Sequence, residues 1–169
     1  MARRALEAAV RGEPDSAGLP ESAALRRPGA AFVTLRSHGA LRGCLGHIGA
    51  DRPLAEVVAR MAASAATQDP RFPPIPPDEL PALEVEISVL SEALPLASRD
   101  PGQIRSGRDG VIVRRGWRQG ILLPQVAADH GWAGEEFLAA ACRKAGLPPE
   151  AWRAPDCQLL VFQTDVFAE

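Results

Sequence analysis

The segment from Asp69 to Pro81 holds six prolines. Proline lacks an N–H and has a fixed φ, so this stretch cannot be a regular element beyond a single turn. It separates the two strongest periodic signals in the chain. Upstream, Leu54, Val57, Val58, Met61 and Ala65 recur at helical spacing. Asp51 can cap that helix, Pro53 suits its first turn, and it ends near Thr67. Downstream, Val85, Ile87 and Val89 alternate with Glu84, Glu86 and Ser88, which predicts a strand over Glu84–Leu90 with one buried and one wet face.

The other elements follow from the same logic. Ala2–Arg11 reads as a short helix with Leu6 and Val10 at i, i+4, and residues 12–29 read mostly as loop. Ala31–Ser37 and Ala40–Ile48 flank His38-Gly39 and predict a hairpin. Residues 93–110 read as loop, with room for one turn of helix. Val111–Arg115 and Gln119–Leu123 predict a second hairpin around Gly116-Trp117. Pro124 starts a short helix that ends at Gly131. Glu135–Ala145 is a helix with acids in its first turn and Gly146 as its stop, and Gln158–Val166 is a last strand. Hairpins interleaved with separate helices predict an α+β fold with mostly antiparallel sheet.

Composition bounds the class. The chain has 169 residues, 46% of them hydrophobic and 24% charged, which excludes a disordered tail, a collagen-like fibre or a long coiled coil. The formal net charge of −2 gives no global basic field for nucleic acid. The 18 arginines against one lysine, and the 30 alanines, are the usage expected of GC-rich coding. Cys44, Cys142 and Cys157 are odd in number and form no CxxC pair, so a reducing compartment is expected. Met1–Val10 has no sustained apolar run, and nothing approaches 18 consecutive apolar residues. The expectation is a cytoplasmic protein with no membrane span.

Chemistry concentrates around Cys44. A regular hairpin turning at His38-Gly39 places Leu35 opposite Arg42, Thr34 opposite Gly43 and Val33 opposite Cys44. Arg42, Cys44 and Gly46 then share a face with Val33 and Leu35, with Arg42 about 7 Å from Cys44 along the strand. A guanidinium at that distance favours thiolate over thiol. Gly43 and Gly46 weaken a strand and imply close approach of a backbone or a ligand, or a bulge. The plainer alternative is that Cys44 is a small core hydrophobe beside Val33 and Leu35. His47 is a candidate base, but three residues from Cys44 it falls on the opposite face unless the strand bulges. Ligation of a metal by Cys44, His47 and an acid matches no standard spacing, so no metal is assigned.

Leu41-Arg42-Gly43-Cys44-Leu45-Gly46 resembles the signature hexapeptide of the AMMECR family, also known as AmmeMemoRadiSam system protein A, with Leu45 where that family usually has Ile. Phe32-Val33-Thr34-Leu35, Arg52-Pro53-Leu54, Asp69-Pro70-Arg71-Phe72, Glu86-Ile87-Ser88-Val89-Leu90-Ser91, Leu122-Leu123-Pro124-Gln125-Val126 and Cys142-Arg143-Lys144-Ala145-Gly146-Leu147 follow in the family's order. The resemblance covers about residues 30–169. It implies a single domain of two unequal α/β subdomains, each with an antiparallel sheet, the larger holding both termini. On the sequence, the larger lobe is expected at about 1–95 plus 151–169 and the smaller at about 96–150. The resemblance also implies Memo-type and radical-SAM proteins as partners, through gene neighbourhood.

The remaining candidates are polar positions in the quoted motifs. Asp69 can cap its own turn, and Arg71 can pair with Asp69 or Glu86; alternatively Arg71 and Arg42 present two guanidiniums to an anion. Glu86 is either solvated or a buried partner of Arg42, and Gln125 sits at a helix start. No phosphate loop, dinucleotide fingerprint or HExxH occurs, so no cofactor is named. Two readings remain open. One is an accessory or binding module that uses Arg42, Gly43, Gly46, Asp69, Arg71, Glu86 and Gln125. The other is a thiol enzyme, transferase or hydrolase, with Cys44 as nucleophile, Arg42 stabilising it and His47 as base.

Overall fold

The computed structural model describes residues 1–14, 18, 20–96 and 98–169. The chain divides into two compact units, Met1–Leu90 with Asp165–Glu169, and Ser91–Thr164. The smaller unit is thus longer at both ends than the expected 96–150.

The first unit is built on an antiparallel sheet in the order β2-β1-β3-β8. Its strands are β1 (Ala30–Ser37), β2 (Ala40–His47), β3 (Leu83–Leu90) and β8 (Thr164–Ala168). Ala31, Val33 and Leu35 of β1 are fully buried and meet α3 (Leu54–Thr67), which lies over α1 (Ala2–Arg11). The periodicity marks α3 because its apolar stripe, Val57, Val58, Ala62, Ala65 and Ala66, is buried where the sheet and α1 pack on the helix. The proline segment ends in a single 3₁₀ stretch, Pro77–Ala82, that feeds β3. A one-turn helix α2 (Ala23–Arg26) sits inside the region read as loop. His38 and Gly39 both have positive φ, 50° and 77°, the backbone of a type I′ hairpin turn.

The second unit carries an antiparallel sheet in the order β4-β7-β5-β6. Its strands are β4 (Leu94–Pro95), β5 (Gly110–Arg115), β6 (Arg118–Leu122) and β7 (Gln158–Phe162). Helix α4 (Pro124–His130) precedes α5 (Gly134–Lys144), whose Phe137, Leu138, Ala141 and Cys142 are buried with Val111 and Val113 of β5. The Arg99 guanidinium donates to the carbonyls of Trp152, Pro155 and Cys157 and ties the loop before β7.

The single last strand expected over Gln158–Val166 is instead two, β7 and β8, in different sheets. The break is at Gln163. Its N–H donates to Ser91 Oγ and its carbonyl accepts from Ser91 N–H, so its hydrogen bonds leave both ladders there. Among the described residues, no helix is long and apolar enough to cross a membrane.

Candidate functional site

The β1–β2 register corrects the expected one. Arg36 pairs with Leu41 as predicted, but Leu35 pairs with Gly43, Thr34 with Cys44, Val33 with Leu45 and Phe32 with Gly46. The register shifts between Leu35 and Arg36, which leaves Arg42 as the extra residue of a bulge. A slip of one residue moves every later side chain to the other face. Cys44 therefore does not lie beside Val33 and Leu35. It shares the opposite face with Thr34, and Thr34 pairs on its other side with Glu86 of β3.

Two local contacts hold the bulge. Arg42 turns out to Glu79 in a two-pronged ion pair, Nε–Oε1 2.7 Å and Nη2–Oε2 2.9 Å, and its Nη1 donates to the Pro73 carbonyl at 3.1 Å. Arg42 holds the Glu79 carboxyl below its ordinary range. Gly43 faces α3 so closely that a Cβ there would lie 2.2 Å from the Ala65 carbonyl oxygen. At Gly46 a Cβ would fall 2.3 Å from the Phe32 ring. The chain's own atoms thus fill the space at both glycines.

Cys44 is half-buried. The Thr34 hydroxyl donates to its sulfur at 3.3 Å, and Thr34 itself is buried. On the open edge of β2, the Cys44 N–H donates to Asp69 Oδ2 at 2.9 Å and its carbonyl accepts from Arg71 Nη2 at 3.0 Å. Arg71 also grips Asp69 through Nε and Nη2, at 3.0 and 2.7 Å. Asp69 is buried, its side chain 2% exposed, whereas that of Arg71 is 53% exposed. The Arg71 guanidinium, with help from the Cys44 and Arg71 N–H groups, outweighs burial and holds the Asp69 carboxyl well below the usual carboxylate range. Asp69 first, and Cys44 in smaller part, keep Arg71 charged.

The candidates thus fall into separate groups. Cys44, Asp69 and Arg71 form one cluster, with Thr34 as a member that sequence reasoning quoted only inside a motif. Its signal was a lone hydroxyl in the apolar run Phe32–Leu35. Arg42 belongs to a second group with Glu79, not with Glu86. His47 pairs with Asp51 at 2.5 Å, opposite Ala31 in the sheet, and makes no contact with the Cys44 thiol. Gln125 lies at the start of α4 in the second unit. Cys142 and Cys157 are fully buried in the second unit, and burial pushes both thiols up. Among the described residues no group of His, Cys, Asp and Glu is arranged to hold a metal ion.

The AMMECR1 family model matches residues 1–167. A protein of Methanothermobacter thermautotrophicus is 46% identical, over all of this chain and 91% of its own length. One of Thermococcus gammatolerans is 43% identical, over all of this chain and 87% of its own. Among solved structures, an uncharacterised protein from Pyrococcus horikoshii superposes with a TM-score of 0.93 at 39% identity, covering 99% of this chain and 87% of that one.

Proposed function

The chain belongs to the AMMECR1 family, and on that premise we propose that it is a binding protein that presents the Cys44 thiol to a ligand or partner. One observation carries this reading: the Thr34 hydroxyl donates to the half-buried sulfur, and the two side chains expected to activate it are engaged elsewhere. Thr34 addresses the sulfur and Arg71 the carbonyl of the same residue, while His47 is engaged by Asp51 and Arg42 by Glu79. Such a group is suited to holding a soft or electrophilic atom. The partners proposed are the Memo-type and radical-SAM proteins that the family resemblance implies.

The Thr34–Cys44 contact also favours a second reading, a thiol-dependent transferase or hydrolase, because the hydroxyl orients the half-buried sulfur. One experiment bears on both. Iodoacetamide labelling of the folded protein at pH 7, read by mass spectrometry, should modify Cys44 and spare Cys142 and Cys157. Retention of purified Memo-type and radical-SAM proteins should then fall in the labelled chain and in Arg71→Gln. Labelling that slows several-fold in Thr34→Val and Arg71→Gln, with partner retention intact, favours the enzyme. If Cys44 reacts only after unfolding, both readings fail.

A further inference from the structure

A cavity lies wholly within the second unit. It is an open cleft of about 570 Å³ beside β4 and the end of β7, a volume suited to a small molecule. Leu94, Leu96, Val161 and Phe162 supply an apolar wall. Leu94 is 57% exposed there, on the two-residue edge strand β4. The polar side is acidic on balance, with Glu92 and Asp109 against one guanidinium, Arg105.

Arg105 does not make the cleft a receptor for anions. Its Nε and Nη2 both end on Asp109, at 2.9 Å, and its backbone N–H does the same. Asp109 is buried, its side chain only 8% exposed. Burial works to raise its carboxyl, but the Arg105 bonds outweigh it and keep the group ionised. Its remaining partner is Gln163 Nε2, at a long 3.4 Å from Oδ1. A better donor can displace that contact. The Gln163 backbone is meanwhile held by two bonds to Ser91, one to its hydroxyl and one from its N–H, which fix that part of the lining. The cleft is therefore apolar on one side and carries net negative charge on the other, where Glu92 adds to the Arg105–Asp109 pair.

We infer that this cleft binds a small organic amine, its apolar body against Leu94, Leu96, Val161 and Phe162 and its ammonium toward Glu92 and Asp109. The site is independent of Cys44 and of the function proposed for it. A carboxylate of the same shape meets excess like charge and binds less well.

Titration of the ¹⁵N-labelled full chain with 2-phenylethylamine, followed by amide shifts, tests this. 3-Phenylpropanoate is the matched anion. The amine should shift Leu94, Leu96, Val161 and Gln163 saturably and at one site, with a Kd on the order of 1 mM as a fragment of this size allows. It should bind about tenfold tighter than the carboxylate. Glu92→Gln, at an exposed position, should erase most of that preference, and Leu94→Arg should abolish amine binding with the chain still folded. The inference is overturned by shifts that do not saturate or lie elsewhere, by equal affinity for the two probes, or by a preference that survives Glu92→Gln.

Discussion

Gly43→Ala is a test of how the sheet of the first unit is held against its helix. The added Cβ would sit 2.2 Å from the Ala65 oxygen and 3.1 Å from its carbonyl carbon. An ordinary carbon–oxygen contact needs more than ~3.2 Å, so β2 and α3 must separate by about 1 Å. The obstructing atom is backbone, so no rotamer change relieves it. A gap of that size forfeits between a quarter and a half of each dispersion contact it opens. The contacts at stake are those of Ala62, Ala65 and Ala66, all buried on α3. The cost is placed at about 3 kcal/mol, the upper end of the range for overpacking. With a urea m-value of ~2 kcal/mol/M the unfolding midpoint followed by far-UV circular dichroism drops by about 1.5 M. Gly39→Ala is the control. Its φ is 77° but its Cβ meets nothing, so it loses only the ~1 kcal/mol of backbone strain. Ala65→Gly should not rescue Gly43→Ala, because the offending oxygen is still present. A Gly43→Ala midpoint within about 0.3 M of wild type, or rescue by Ala65→Gly, would refute the reasoning.

Gly120→Ala should behave alike in the second unit, since its Cβ would lie 2.2 Å from the Ala141 oxygen of α5; all three tryptophans fall within residues 117–152, so their emission reads that unfolding. Asp69→Asn should cost about 2 kcal/mol at pH 7, with the buried pair discounted for the exposure of Arg71, measured by the same denaturation. The folded carboxyls of Asp69, Glu79 and Asp109 all lie below their unfolded values. Their contribution is therefore complete above pH ~4 and is lost as pH falls through the folded values; midpoints taken between pH 7 and pH 2 should decline in that direction, and less steeply in Asp69→Asn. Arg42→Ala should cost about 1–2 kcal/mol by releasing Glu79, measured by the same denaturation.

The elements legible in the sequence are those whose pattern is set by one neighbour. Leu54–Thr67 buries one stripe, so its periodicity shows it, and the alternation of Leu83–Leu90 marks a strand, although Ser88 on the face read as wet is buried. The hairpin turn was legible from His38-Gly39 for the same local reason. The register of β2 was not. It depends on Glu79 drawing Arg42 out of the ladder and on α3 pressing on Gly43, contacts made across 37 and 22 positions of the chain. That single shift decides whether Cys44 is a core residue or a partly exposed one. Asp69 and Arg71 were named from the sequence, and their mutual pairing was the simpler of the readings weighed. Their hold on Cys44 was not foreseen, because it follows from β2 lying at the sheet edge. The split of the last strand was hidden for a similar reason, since Gln158 to Val166 reads as one run until Ser91 takes both bonds of Gln163.

A strand at the edge of a sheet exposes a row of donors and acceptors that another chain can copy. At Cys44 both are already occupied, the N–H by a carboxylate and the carbonyl by a guanidinium from the same short loop. Asp69 and Arg71 thereby stand in for one residue of a missing neighbouring strand, with charges that a hydrophobic β-segment cannot displace cheaply. Because that pairing holds Asp69 well below the usual carboxylate range, the guard outlasts acid that protonates ordinary carboxylates. Removing it by Asp69→Asn should leave the chain not only less stable but also adhesive, with self-association seeded at the middle of β2.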